Sequence, residues 1–532
     1  MKTYLRFLGI ALFLTGTAGE VCAQFGYYNE ALLFSRTQNF GTARISGIGG
    51  TQVALGGDIS LAASNPAGLG FFNRSSFSFS PGMDFSSANS EFFDNSVKAY
   101  RNKFIIPEVG LVLNNSKGNV LPDDFKGSSV AVSLQRTNNF NHDIQYVGIN
   151  SSSSIVNAFI WNASNRFPDQ LGGFEGIAYD HFLIDEADYN TDDPFFFNAQ
   201  NGITYISPNI EDGTVEGYES VLGNYYGSLP QQTERITTSG GQYALNTSWG
   251  GNFKDVFYFG AGLGIHFIEY DRVRRYTESE FQLPDGSPDN LVNSISIRDR
   301  LSIEGSGLNA TLGAILRPLP FLTAGISYHT PTFYALNEDS DFIFETQWGE
   351  NLSYAFNGDT LEMGVISTES DIFVSDYALK TPAKLNMGAA LFLGKKGFIS
   401  GEVELIDFST AQLQSSDFEV FDDNDAIVDF FRNVINYKLG AELRFDELRV
   451  RGGFNYQADP FQEQLIDRSI YTYSGGLGYK SRDLFVDITA RVMNTQQTYS
   501  PYFLPEDYAG GSPVVHSDLQ KVSAMITFGT TF

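Results

Sequence analysis

The chain has 532 residues and a formal net charge of -28, with 53 Gly, 47 Phe, 27 Tyr and a single Cys. It is rich in β-formers and aromatic residues but has no long apolar block in its mature part, which favours a β-barrel over a helical membrane protein. The negative charge excludes a nucleic-acid partner, because the phosphates would be repelled, and a single Cys excludes an internal disulfide.

The first predicted element is a signal peptide over residues 1–23. Lys2 and Arg6 precede a short apolar run, and small residues follow it. This is the pattern of an export signal, so we predict a mature chain that starts at Gln24 and lacks Cys22. Only helices and closed barrels satisfy their backbone in lipid. An exported chain without a spanning helix is therefore either a soluble secreted protein or an outer-membrane barrel.

The second element, residues 24–72, precedes all the predicted strands. It is rich in Gly, Ala and Ser and is too short to form a core of its own, so we expect it to fold inside a barrel. Near its end, Pro66 favours an extended Asn65 and has a fixed φ, while Gly68 after Ala67 permits a sharp change of direction. This turn is predicted to be a stiff joint between a plug and the barrel wall.

Residues 73–532 are predicted to form an all-β transmembrane antiparallel barrel. The final run, KVSAMITFGTTF, alternates apolar with small or polar residues and ends in Phe532, which is typical of the closing strand of an outer-membrane barrel. The same alternation predicts fourteen strands, an even number, at 74–86, 107–115, 128–138, 242–253, 256–270, 302–317, 320–333, 382–395, 397–410, 434–445, 447–457, 470–481, 483–493 and 519–531.

Charged residues occupy one face of several of these strands. Glu402, Arg451, Asp487 and Arg491 all alternate with apolar residues, so they are predicted to face the lumen. Two interpretations are open: a polar conduction path, or a network of ion pairs that holds the wall. We favour the network, because buried charges are normally paired.

The links between strands alternate between long and short, as expected when both ends of the barrel lie in the periplasm. The largest predicted loop, 139–241, contains two apolar clusters at 154–161 and 174–184 that are predicted to be short amphipathic helices. This loop is either a capture surface for a hydrophobic ligand or a segment that packs a small core of its own.

No catalytic or cofactor motif is present in the sequence, so we predict no enzyme activity, no cofactor and no metal site. The five histidines, His142, His181, His266, His329 and His516, are scattered, without a metal-binding spacing. The run Gly260–Gly264 lies inside a predicted strand and opens no helix. Its small residues indicate a close approach of another backbone rather than a nucleotide loop.

The N-terminal segment resembles the hatch of the FadL/TodX family of outer-membrane long-chain fatty-acid transporters. The matching motifs are Gly41–Arg44, Gly47–Gly50, Ala54–Asp58 and Asn65–Leu69, which occur in this order before a barrel. The family has a fourteen-stranded barrel plugged by its N-terminus, so the resemblance also covers the predicted architecture. It assigns Asn65, Pro66, Ala67 and Gly68 a conformational role in the hatch.

The resemblance implies passive uptake of hydrophobic molecules, most of all long-chain fatty acids, by a monomer in an outer membrane covered by lipopolysaccharide. It implies capture by outward loops, rearrangement of the hatch and lateral exit through the wall. The third predicted strand has neither Gly nor Pro, so the position of the lateral opening is not predicted. The predicted ligand-contacting residues, placed by their position in the loop, are Phe159, Ile160, Trp161, Phe174, Phe182 and Leu183.

Two other functions remain open. A FadL-like barrel can serve as a component of protein secretion, as PorV-type proteins do, and a barrel with acidic loops can be a structural or adhesive protein. A continuous apolar pocket in the lumen would favour transport of hydrophobic molecules. A lumen crowded by charged pairs, with a large rim, would favour the other two functions.

Overall fold

The computed structural model describes residues 26–38, 41–116, 124–164, 166–186, 196–199, 202–206, 218–220, 229–282, 288–356, 359–463, 466–505, 508 and 510–532. The predicted signal peptide, 1–23, lies outside these residues. The strands, in chain order, are β1 (Ser76–Phe92), β2 (Asn95–Ser116), β3 (Phe125–Asn139), β4 (His142–Ile149), β5 (Asp185–Glu186), β6 (Phe196–Ala199), β7 (Gly202–Ile206), β8 (Tyr218–Glu219), β9 (Leu229–Phe253), β10 (Phe257–Gln282), β11 (Val292–Leu319), β12 (Leu322–His329), β13 (Phe333–Trp348), β14 (Leu352–Phe356), β15 (Asp359–Glu362), β16 (Val365–Glu369), β17 (Phe373–Lys380), β18 (Lys384–Phe392), β19 (Gly397–Asp407), β20 (Gln412–Ser415), β21 (Asn433–Phe445), β22 (Leu448–Gln457), β23 (Ile470–Lys480), β24 (Leu484–Tyr499) and β25 (Val515–Thr531).

Fourteen of these strands, β1–β3, β9–β12, β18, β19 and β21–β25, close an antiparallel barrel. The first and last strands complete the ring, from the pair Ser76 and Thr531 to the pair Glu91 and His516. The predicted fold class is therefore confirmed, and each of the fourteen predicted strands overlaps one barrel strand. At the short-turn end the links are as short as predicted, with two residues between β21 and β22.

At the opposite end the strands continue well beyond the predicted boundaries. β10 runs to Gln282 and β11 begins at Val292, so most of the predicted loop 271–301 is a hairpin. Likewise β9 begins at Leu229, inside the predicted loop 139–241, which also contains β4–β8. Strands that project into water keep their backbone pairing but no longer need an apolar face, so their sequence resembles that of a loop.

A belt of exposed apolar side chains surrounds the barrel. Each of the fourteen strands contributes at least one large apolar residue that is more than a third exposed, namely Phe77, Leu111, Val132, Trp249, Leu263, Leu312, Ile326, Leu391, Ile399, Leu439, Val450, Leu477, Ile488 and Phe528. The side chains that alternate with them are mostly small, polar or charged and buried. Such a belt is stable only in lipid, so the protein is a transmembrane barrel of the outer-membrane type.

The helices lie inside the barrel or in its projecting part. They are α1 (Tyr27–Ser35), α2 (Ala43–Gly47), α3 (Leu61–Ser64), α4 (Ile155–Ala163), α5 (Gly173–Asp180) and α6 (Phe421–Phe430), with 3₁₀ turns at Pro66–Phe71, Pro168–Gln170 and Phe408–Thr410. In the described part of the chain, none of the helices has the length and hydropathy needed to cross a membrane.

Residues 41–72 occupy the lumen. Polar side chains from six strands spread around the wall bond to this segment: Glu108 on β2, Ser248 on β9, Thr323 on β12, Ser400 on β19, Thr489 on β24 and Thr527 on β25. A segment bonded to strands on all sides of a closed barrel can lie only within it. We call residues 26–72 the plug.

Candidate functional site

The Asn65–Gly68 turn lies at the base of the plug, against β9–β12. Asn65 is fully buried and extended, and its side-chain oxygen accepts the backbone N–H of Ala67 at 3.2 Å, which caps the 3₁₀ turn that follows. Its side-chain amide donates to the carbonyl of Val53 at 2.6 Å. Asn65 thus links the 3₁₀ turn to Val53, in an earlier part of the plug. Both the oxygen and the nitrogen of its side-chain amide form hydrogen bonds that hold the turn in one conformation.

The other residues of this turn act through their shape. Pro66 takes the first position of the 3₁₀ turn, where its missing N–H costs nothing. Ala67 is fully buried against Tyr258 and Ile315 of the wall. Gly68 does not have a positive φ, so the predicted sharp turn is not its role. A Cβ on Gly68 would instead collide with the carbonyl of Leu55, so glycine is required here for space.

The wall meets the plug with a row of inward-facing glycines, which we call the glycine belt. A Cβ at any of these positions would overlap atoms of plug residues 48–67: Gly250, Gly260, Gly313, Gly325, Gly440 and Gly453. Gly250, Gly260 and Gly313 lie side by side on three adjacent strands under Asn65 and Pro66. The close backbone approach predicted for the Gly260–Gly264 run is therefore found at Gly260, whereas an added Cβ at Gly262 or Gly264 would first meet side chains of the wall.

Charged groups join the plug to the wall in a second way. One carboxylate oxygen of Glu402 accepts the backbone N–H groups of Gln52 and Val53 at 2.9 and 3.0 Å. The other oxygen of Glu402 accepts a bond from Lys438 at 2.8 Å. Since all these groups are buried, each depends on the others for its hydrogen bonds.

A second network lies nearer the short-turn end. Glu442 pairs with Arg451 at 2.8 Å and with Arg44 of the plug at 3.7 Å, while Arg451 also pairs with Asp487 at 2.5 Å. The plug residue Asp58 lies 3.5 Å from Arg44. The interpretation favoured from the sequence, an ion-pair network that holds the wall, is confirmed, and the network includes the plug.

The wall has an interruption between β2 and β3. These strands pair from Ser116 and Gly127 up to Glu108 and Gln135, and then separate. Beyond that level, residues 95–107 of β2 pair with β1 alone within the described part of the chain. The sequence signal for this break is in β2 rather than β3, because Pro107 has no N–H to donate to a neighbouring strand.

β3 has a bulge at the same level and stays paired with β9 on both sides of it. Its register against β9 shifts between Arg136 and Asn138, so that Thr137 is an extra residue. The plug is attached to this bulge: Gln38 donates its N–H to the Thr137 carbonyl at 2.8 Å, and the Asn138 amide donates to the Leu33 carbonyl at 3.1 Å. The end of α1 and the break in the wall are thus directly connected.

The N-terminal helix α1 carries a buried acid. Burial and the neighbouring Glu338 carboxylate raise the pKa of Glu30 to about 8, with Asp423 raising it further and Arg272 and Tyr377 opposing the shift. The folded protein therefore holds a proton on Glu30 over a pH range in which the unfolded chain has lost it. Docking of α1 is strongest below about pH 4.5 and weakens as the pH rises through 8.

We expect α1 to be protected from hydrogen exchange at least tenfold more at pH 5.5 than at pH 8.5, after correction for intrinsic exchange, because the raised pKa of Glu30 spans most of this pH range and each pKa unit corresponds to a factor of about ten. Glu30→Gln should remove this difference and keep α1 protected at both pH values. Glu419→Gln, on an exposed residue of the same region, is the matched control and should behave like the wild type. A pH dependence that persists in Glu30→Gln would contradict the prediction.

The predicted helices of the large loop are present as α4 and α5, and they bring most of the predicted contact residues together. Phe159 and Leu183 are buried in a cluster with Phe344 and Trp348 of β13. Ile160, Phe174 and Phe182 pack around this cluster, whereas Trp161 is 55% exposed. The loop thus builds a core against the projecting strands, and contact of these residues with a ligand stays a prediction.

The lumen above the plug contains a cavity of about 130 Å³. Most of the side chains that line it are polar or charged, among them His266, His329, Lys384, Glu404 and Lys438, and Phe34 of α1 is one of its few apolar neighbours. This cavity is not a continuous apolar pocket. In the part of the chain that the structure describes, no cluster of three or more His, Cys, Asp or Glu could hold a metal ion.

No protein-family model and no curated protein matches the chain significantly. Among solved structures it is similar to the P. putida toluene transporter TodX, with 10% identity over 93% of this chain and 99% of that chain and a TM-score of 0.49. A Pseudomonas aeruginosa FadL homologue has 13% identity over 93% and 98% of the two chains and a TM-score of 0.49. The Ralstonia pickettii toluene transporter TbuX has 14% identity over 93% and 99% and a TM-score of 0.45. TodX and FadL are the proteins after which the family that the N-terminal motifs resemble is named.

Proposed function

We propose that this protein is an outer-membrane channel for passive uptake of small hydrophobic molecules, most of all long-chain fatty acids. The observation that carries the proposal is the break between β2 and β3 with the plug bonded to its edge. A hydrophobic molecule that enters from outside can leave through such a break into the membrane without crossing water. No energy source is needed, because the molecule moves from water into lipid.

The plug would serve as the hatch of this route. Gln38 and the carbonyl of Leu33 are bonded to the β3 bulge, so a guest that displaces α1 would also release the edge of the opening. While α1 moves, the rigid Asn65–Gly68 turn and the glycine belt would keep the base of the plug in place. A hatch of this kind moves at one end and is fixed at the other.

Capture of the guest would take place on the projecting loop. Trp161 is exposed, and Phe174 and Phe182 are only partly buried beside the α4–α5 core. Exposed aromatic side chains above the apolar belt offer a first site for a molecule that lipopolysaccharide keeps out of the bilayer. The aliphatic and aromatic residues beneath them, Phe159, Ile160 and Leu183, would support this surface.

The polar lumen favours a second candidate, a component of protein secretion of the PorV type. The charged pairs around Lys438 and the polar cavity fit a barrel whose lumen is not the path of a hydrophobic guest. In that case the projecting strands and loops would dock an exported protein. The uptake experiment separates the two candidates.

The test is uptake of labelled oleate by cells that lack a fatty-acid uptake channel of their own. Deletion of Thr137 removes the bulge between β3 and β9 and with it the carbonyl that holds Gln38 of the plug at the edge of the break, so uptake is expected to fall about tenfold or more, toward the level without the protein. The matched control is deletion of Lys126, the extra residue of the other bulge in the same strand pair, near the short-turn end. That variant is expected to retain uptake.

Two further outcomes decide between the alternatives. Equal uptake with and without the wild-type protein would overturn the transport function and favour the secretion candidate. Wild-type uptake after deletion of Thr137 would overturn the lateral exit. Asn65→Ala/Pro66→Ala tests the hatch separately, because unchanged uptake in this variant would remove only the role of the turn.

A further inference from the structure

A second cavity lies at the short-turn end of the barrel, below the plug. Its volume is about 500 Å³, which is within the range of small-molecule sites. Plug residues Gly56–Ile59 and Phe71–Phe72 form one side of it, and the ends of the strands form the rest. We call it the vestibule. It is separate from the polar cavity above the plug and has no part in the uptake route proposed above.

The vestibule concentrates positive charge in a strongly acidic protein. Eight Lys and Arg side chains line it against three carboxylates, although the whole chain has 34 basic and 62 acidic residues. The three carboxylates are those of the ion-pair network, Asp58, Glu442 and Asp487. At the rim, Asp483 pairs with Arg74 at 2.8 Å. The lining of the vestibule still carries a net positive charge after these ion pairs are subtracted.

Four of the eight cations form no ion pair in the described part of the chain, namely Arg317, Arg449, Lys480 and Arg482. Arg449 donates to the carbonyls of its own turn, Asp446 and Leu448, and no ion pair involves Arg449 or Arg482. Glu442 is already shared by Arg44, Arg444 and Arg451. Several guanidinium groups therefore line the vestibule with N–H donors that have no carboxylate acceptor.

A buried serine hydroxyl without a hydrogen-bond partner also lines the vestibule. Ser78 is 2% exposed and lines the vestibule, and its Oγ has no hydrogen-bond partner. An unsatisfied buried polar group is costly unless a ligand or water completes it. Four phenylalanines, including Phe71 and Phe485, lie beside the cations, so the space also accepts an apolar group.

We propose that the vestibule is a binding site for a phosphate-bearing ligand that enters from the periplasmic side. Phosphate carries up to two charges and several acceptor oxygens, which match forked guanidinium donors and a hydroxyl better than a monovalent anion does. The phosphate is either that of a soluble phosphate ester or that of a lipid headgroup. The site shares the plug with the uptake proposal but includes neither the break between β2 and β3 nor the projecting loop.

The experiment titrates the purified full-length protein with pyrophosphate by calorimetry in detergent free of phospholipid. A second arm measures retention of phosphatidic acid against phosphatidylcholine by native mass spectrometry. Arg449→Gln/Arg482→Gln should weaken binding about tenfold or more, since each substitution removes a charge-assisted bond to the phosphate. Ser78→Ala should weaken it less, because it removes one neutral donor.

The matched control is Arg298→Gln/Arg300→Gln, the same change of charge on exposed residues of β11 at the opposite end of the barrel. It should bind like the wild type. Binding of pyrophosphate assigns a soluble ligand, and selective retention of phosphatidic acid without pyrophosphate binding assigns a headgroup. Binding of neither probe, or an equal loss in the control variant, would overturn the proposal.

Discussion

Replacing Gly260 by valine is expected to displace the base of the plug while leaving the barrel closed. A Cβ at this position would overlap the backbone of Pro66, which has no alternative rotamer. Overpacking of a close contact costs about 1–3 kcal/mol. Each 1.4 kcal/mol shifts the equilibrium between seated and displaced plug about tenfold. We therefore expect higher ion conductance in planar bilayers and faster hydrogen exchange over residues 61–72.

The control for this prediction is Gly475→Val. Gly475 is a glycine of β23, and the nearest atom to an added Cβ is the Arg451 carbonyl oxygen at 3.9 Å. Both variants add the same β-branched side chain to a barrel strand, but only one meets the plug. Heat-modifiable migration in electrophoresis checks that each barrel has folded. A folded Gly260→Val barrel with wild-type conductance and exchange would refute the view that the glycine belt seats the plug.

Replacing Lys438 by methionine is expected to lower the stability of the barrel. Lys438→Met leaves the buried Glu402 carboxylate without its cation, and breaking a buried pair in this way costs about 3–5 kcal/mol. Because Glu402 also accepts two N–H groups of the plug, the loss should appear both in urea unfolding of the barrel and in exchange of residues 51–55. The exposed Lys395→Met is the control and should change neither quantity.

A double variant measures how strongly Lys438 and Glu402 depend on each other for the stability of the barrel. Glu402→Gln keeps an acceptor for the Gln52 and Val53 N–H groups but removes the charge. Lys438→Met/Glu402→Gln should therefore be more stable than Lys438→Met alone, because the charge of Glu402 is no longer buried without its cation, whereas Glu404 loses Lys438 in both variants. Additive losses in the double variant would show that the pair is not energetically coupled, and would contradict the role given to Glu402 as a joint between wall and plug.

Alternation along the strands was sufficient to predict the barrel. A strand in lipid must present apolar groups on one face only, so residues such as Leu477, Ile488 and Phe528 reveal their own orientation without reference to any partner. The charged inward face is visible in the same way, which is why Glu402, Arg451 and Asp487 could be assigned to the lumen. The helices of the large loop follow from local apolar clusters for a similar reason.

The strand ends were harder to predict. Outside the membrane the apolar face is no longer required, so β9 and β10 continue through polar sequence that resembles a loop. Backbone pairing keeps these segments extended, and pairing depends on a partner strand that is distant in the sequence. The third predicted strand contains neither Gly nor Pro, and the proline beside the break, Pro107, lies in the second. Either of two neighbouring strands can interrupt their pairing, so the sequence of one strand alone does not locate a break.

The class of the protein, the number of its strands, the inner face of the strands with alternating charges and the stiffness of the Asn65–Gly68 turn follow from neighbouring residues, so they are predictable from the sequence. Which glycines seat the plug, which carboxylate serves both plug and wall, and where β2 and β3 stop pairing depend on the folded chain. The tertiary structure also brought together the cations of the vestibule from six turns and strand ends and from the plug. These features are contacts between residues up to several hundred positions apart, and closure of the barrel alone sets their distances.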